Sequence, residues 1–173
     1  MGGAYLDGQR EVARGRRGDI DLAIVKLENV VKQDPLYKDS LTLLGRAYYK
    51  QGRYKDSSQI LQRALAANKE DEIAWIVLGL TQMRVGDDQR GLESLKGGLT
   101  LLARATKNGY KDIEFWDRNG AVASALRRTV FLATKGIDEK ENLIRQTELL
   151  LQRIDDEERR GKGEQTWEEP GGY

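Results

Sequence analysis

Apolar residues in this chain recur three and four positions apart, the spacing of one helix face, and the whole of it reads as helical. In the stretch 38–71 they fall at Leu41, Leu44 and Tyr48, then at Leu61 and Ala64 beyond Gly52. In 72–104 one side of a helix carries Trp75, Leu78 and Val85, while Ile73, Ile76, Leu80 and Met83 form a 3–4–3 stripe on the other. A helix apolar nearly all round is expected to be buried on both sides. Towards the C-terminus Leu143, Ile144, Leu150, Leu151 and Ile154 share one face, with Thr147 between them. The boundaries agree with this reading. Asp71 and Asp87 stand where N-caps belong, and Asp34-Pro35 closes an early helix, because the residue before proline avoids helical geometry.

Superimposed on the helical pattern is a longer period. Gly18, Gly52 and Gly86 are each 34 residues apart, and so are Gly45 and Gly79, each seven residues before a turn glycine. A glycine inside a helix costs about 1 kcal/mol relative to alanine. Spending that twice at one register argues for a close helix–helix contact, in which one helix offers a gap where its neighbour offers a bulge. A period of 34 with helix–turn–helix content resembles the tetratricopeptide repeat (TPR). In 38–71, Leu41 takes the family's tryptophan position, Leu44-Gly45 its Leu-Gly pair and Tyr48 the following aromatic. Gly52 then makes the turn, and Ser57, Leu61 and Ala64 fill the second helix. The unit 72–104 has Trp75, Leu78-Gly79, Gly86, Gly91, Leu95 and Gly98 at the same places, with Gln82 where an aromatic is expected. The unit 4–37 is degraded: Ala23, Leu27, Val30 and Pro35 fit its second helix, but Arg10-Glu11 stand at the Leu-Gly position of its first.

The resemblance covers about residues 4–104 and implies an all-α fold, a right-handed α-α superhelix of antiparallel helix pairs. Beyond it the 34-residue spelling is lost. Residues 105–160 read as a longer C-terminal helical pair, one helix from about Ile113, capped by Asp112, to Thr134, and another from Asp138 to about Arg160. This pair reads as a cap on the repeats. Residues 161–173, with Pro170 and several glycines, read as a flexible tail in which Trp167 and Tyr173 are candidate anchors.

Composition narrows the chemistry. The chain of 173 residues contains neither cysteine nor histidine, which excludes thiolate nucleophiles, disulfides, Cys/His zinc sites and histidine acid–base catalysis. Its 29 basic and 28 acidic residues give a net charge of +1, with no long-range pull towards nucleic acid. No cofactor or metal is expected. The run Asp155-Asp156-Glu157-Glu158 lacks the spacing of a calcium loop and reads as a solvated face. Arg14-Gly15-Arg16-Arg17-Gly18 is not a phosphate loop, since no Gly-Lys-Ser/Thr follows. Neither a secretion signal nor a membrane span is visible, so a cytoplasmic location is the expectation.

What the resemblance implies is protein binding. In the family the first helix of each pair lines the concave face. The groove positions that follow are Asp39, Thr42, Arg46, Tyr49 and Lys50 in one unit, and Ile73, Ile76, Leu80, Met83 and Arg84 in the next. Two occupants of the apolar stripe stay open: the chain's own C-terminal pair, or an amphipathic helix of another protein. Arg46 and Leu80 stand where the family's peptide-clamping asparagine would be, so that specialisation is not expected. The expectation is a non-catalytic scaffold or adaptor that helps assemble or localise a complex by binding a helical or extended segment. A dedicated chaperone, or a permanent subunit of an assembly, is the alternative, and homo-oligomerisation is left open.

Overall fold

A computed structural model describes residues 1–14 and 17–167, with the side chains of 14, 17, 18 and 162–167 outside that description. Among the described residues the chain forms eight α-helices and no strand. They are α1 (Gly2–Arg14), α2 (Arg17–Gln33), α3 (Ser40–Gln51), α4 (Tyr54–Ala67), α5 (Glu72–Arg84), α6 (Asp88–Thr106), α7 (Ala121–Thr134) and α8 (Lys140–Trp167). They divide between two compact units, Met1–Leu101 and Leu102–Tyr173.

In the first unit, tight reversals make the helix pairs. Gly52 ends α3 in the left-handed region, φ 84°. Its N–H donates to the Tyr49 carbonyl at 3.0 Å, and the Arg53 N–H to that of Tyr48 at 2.9 Å. Gly86, φ 87°, does the same after α5, with Asp87 N–H donating to the Gln82 carbonyl at 2.9 Å. A side chain is strained at such a φ, and the two bonds satisfy carbonyls that the helix end leaves open. Asp71 caps α5 as its position suggests, accepting the Ala74 N–H at 3.0 Å. Helix α1 packs on α2 and α3 on α4; α2 meets α3 and α4 meets α5. The first helices of successive pairs also touch, α1 with α3 and α3 with α5.

The packing glycines are where helices come closest. A Cβ on Gly45 would lie 2.5 Å from Leu61 Cγ, and one on Gly79 only 2.7 Å from the Gly91 carbonyl oxygen and 2.8 Å from Leu95 N. The degraded unit has its gap as well, three residues earlier than the 34-residue count puts it. A Cβ on Gly8 would lie 2.7 Å from Leu27 Cγ, so Gly8, not Glu11, faces the residue that corresponds to Leu61 and Leu95. Leu27, Leu61 and Leu95 are all fully buried. Gly18, expected in the turn, falls instead in the first turn of α2. The separation of the packing glycine from its leucine is thus three residues longer in the first pair than in the later ones, which hid the register. Val85, expected to pack, is 60% exposed at the end of α5.

In the second unit α7 packs against α8. The buried Thr129 and Thr147 return their hydroxyls to the carbonyls of Ala125 and Leu143 at 2.8 and 2.7 Å, so the seam carries no unpaired hydroxyl there. Helix α7 begins at Ala121, not near Ile113. Asp112 does not cap it; Asp112 itself has φ 57°. The cap is Asp117, whose two carboxylate oxygens accept the N–H groups of Val122 and Ala123, each at 2.8 Å. The acidic run is not a solvated face either: Asp155 and Glu157 are buried, and Glu157 accepts the Asp117 N–H at 3.1 Å. Helix α8 continues past Arg160 to Trp167. Gly161 is the reason it need not stop, because a Cβ there would collide with Ile113, making this glycine a close contact instead of a helix end.

Candidate functional site

The groove positions of α3 lie on one stripe, and that stripe is tied to both neighbouring first helices. Tyr5 of α1 donates its hydroxyl to Asp39. Lys50 donates to the Val12 carbonyl, also in α1. On the other flank, Arg84 Nε donates to the Tyr49 hydroxyl at 3.2 Å. Thr42 Oγ1 donates to Asp71 at 2.5 Å, bonding the residue that caps α5. Tyr49 also leans on Tyr54 with ring centroids 5.5 Å apart. The partners are one repeat apart, so side chains that the sequence marks as a polar patch also set the lateral spacing of α1, α3 and α5.

Accessibility divides the candidates. Lys50 and Arg84 are exposed and Asp39 is partly so, whereas Thr42, Arg46 and Tyr49 are buried. Ile73 sits at the edge of burial. Ile76, Leu80 and Met83 have no accessible surface at all. Two of these are wedged against α6: a Cβ on Gly98 would lie 2.7 Å from Ile76 Cγ1, and one on Gly91 would lie 2.6 Å from Met83 Cγ. The apolar stripe is core within the chain, and its polar neighbours supply the surface. Glycines at 91 and 98 in the following helix are the sequence signal for this, since they make room for large residues at 83 and 76. Of the tail anchors, the Trp167 side chain and all of Tyr173 lie outside the described residues.

Ser57, which lies near Lys55 in sequence, is buried and commits its hydroxyl to the Gly45 carbonyl at 2.7 Å. Among the described residues no group of three or more carboxylates is placed to hold a metal ion. No helix among them is long and apolar enough to cross a membrane.

Against known families, residues 16–79 match the model described as "Tetratricopeptide repeat". The likeness to the tetratricopeptide repeat is thus shown for this segment, which is less than half of the chain. The match runs from the start of α2 to Gly79 in α5, so it contains α2 and the α3–α4 pair whole and the first part of α5. TPR segments are in general protein–protein interaction modules and typically non-catalytic. No curated protein matches the chain.

Proposed function

We propose that this TPR protein is a scaffold or adaptor, and that it helps assemble or localise a multiprotein complex through the face made by α1, α3 and α5. The observation that carries this reading is the cross-tying of three successive first helices by Tyr5–Asp39, Lys50–Val12 and Tyr49–Arg84. A surface fixed in this way binds with little loss of side-chain freedom on association. Asp39, Lys50 and Arg84 offer polar atoms to a helical or extended segment of the partner, with Ile73 an apolar contact among them. Tyr49 holds Arg84, Thr42 ties α3 to the cap of α5, Arg46 is buried beside them, and Ile76, Leu80 and Met83 lie buried beneath the face.

The test is affinity capture from the native lysate by wild type and by a Lys50→Glu/Arg84→Glu variant, with circular dichroism on both. Loss of one discrete partner by a folded variant is the expected result. Retention of every partner by that variant would refute this use of the face.

A further inference from the structure

The loop between α6 and α7 combines three features that seldom occur together: backbone strain, rigid anchoring and an outward aromatic. Lys111, Asp112, Phe115 and Asp117 all have positive φ, between 50° and 57° in every case, without being glycine. For a bulky residue such as Phe115, at φ 56°, this is a conformational outlier that the surroundings must impose. The surroundings are visible. Arg160 donates to the Phe115 carbonyl at 3.2 Å and to Glu157 at 2.7 Å. Glu157 in turn accepts the Asp117 N–H, and Lys111 pairs with Glu158 at 2.8 Å. Asp117 caps α7, and Trp116 leans on the buried Tyr110 with centroids 4.7 Å apart.

Against these contacts the Phe115 ring itself projects outward, 66% exposed. Asparagine or glycine would occupy this φ with less strain, and the exposed phenylalanine recovers little of that cost by burial. Strain of this sort, imposed by surrounding contacts, collects where a residue must be presented in a set orientation. The Arg118 guanidinium sits 5.6 Å from the ring centroid, so the projecting group is an aromatic with a cation beside it. Aromatic residues and arginine are the side chains that dominate protein–protein contacts.

We propose that residues 110–120 are built to present Phe115 as an anchor for an apolar pocket on a different protein, with Arg118 meeting a carboxylate at the rim of that pocket. This surface lies in the second unit and does not depend on the function proposed for the α1, α3 and α5 face.

The experiment has two parts. Phe115→Asn should raise the Tm of the purified chain by about 2–4 °C, because strain is relieved and little packing is lost. A fall in Tm would mean that the ring packs within its own unit, and would overturn the proposal. In the second part, a photoreactive benzoyl-phenylalanine is placed at position 115 and, for comparison, at Phe131, which is 60% exposed on an ordinary helix. After irradiation in cells of origin, position 115 should give one discrete adduct with another protein that position 131 does not give. Arg118→Glu should abolish it and Arg118→Lys preserve it. No adduct at 115, an adduct indifferent to Arg118→Glu, or an adduct with a second copy of this chain would each overturn the proposal.

Discussion

Substituting alanine for Gly79 and for Gly97 is one chemical change with two opposite predicted outcomes. Both positions are inside helices, so each gains about 1 kcal/mol of helix propensity. At Gly97 a Cβ meets nothing within 4 Å, and the gain is kept: the variant should be more stable than wild type by about 0.5–1 kcal/mol. At Gly79 the new Cβ would stand 2.7 Å from the Gly91 carbonyl oxygen, 2.8 Å from Leu95 N and 3.0 Å from Leu95 Cβ. Two of those atoms are backbone, so no side-chain rotation relieves the clash and α5 must separate from α6. Overpacking of this kind costs about 1–3 kcal/mol and occasionally more. Set against the propensity gain, the net loss is about 0–2 kcal/mol, which leaves Gly79→Ala less stable than Gly97→Ala by about 1–3 kcal/mol, at roughly 2–4 °C of Tm for each kcal/mol in a chain of this size. Urea denaturation followed by circular dichroism, with both variants at the same protein concentration, separates the two. Equal stability of Gly79→Ala and Gly97→Ala would refute the claim that the 34-residue glycines mark close helix contacts.

Other outcomes follow from single contacts. Asp117→Ala removes both N–H acceptors at the start of α7 and should cost about 1–2 kcal/mol, with the earliest hydrogen exchange in α7 at Val122 and Ala123. The hydrogen bond from Lys26, and next its positive charge, hold the Asp7 carboxyl below the usual range. A carboxyl depressed in the folded state stabilises it above the unfolded value, and that contribution is lost as pH falls through the folded one. Carbon-13 titration should therefore give Asp7 a midpoint below that of an ordinary aspartate, and Lys26→Met should return it to normal; an unchanged midpoint in the variant would exclude the pair as the cause.

Much of the fold was legible because its packing repeats. Gly45 with Gly79 and the turn glycines 52 and 86 each report a local requirement that the chain writes in the same register twice, and Asp71 marks its cap once by residue type alone. Gly8 escaped that count because it stands three residues further from Leu27 than Gly45 does from Leu61, and a fixed spacing cannot reveal a shifted equivalent. The loop before α7 escaped for another reason. Its backbone is set by Glu157, Glu158 and Arg160, 40 to 47 residues away in sequence, and the left-handed residues they hold in place carry no glycine to announce them. The candidate face was half legible. The polar positions of α3 do converge, but seeking the cover of Ile76 and Met83 in the C-terminal pair or a partner overlooked the glycines at 98 and 91 that bring α6 against them.

The central claim is that a partner protein occupies the face of α1, α3 and α5. Hydrogen exchange of the full chain, free and with the protein it captures, tests this directly. The account predicts slowed exchange on binding in α3 and α5, strongest around Lys50 and Arg84, and little change along the outer side of α4. Protection confined to α4 or to the second unit, with α3 and α5 unaltered, would contradict it.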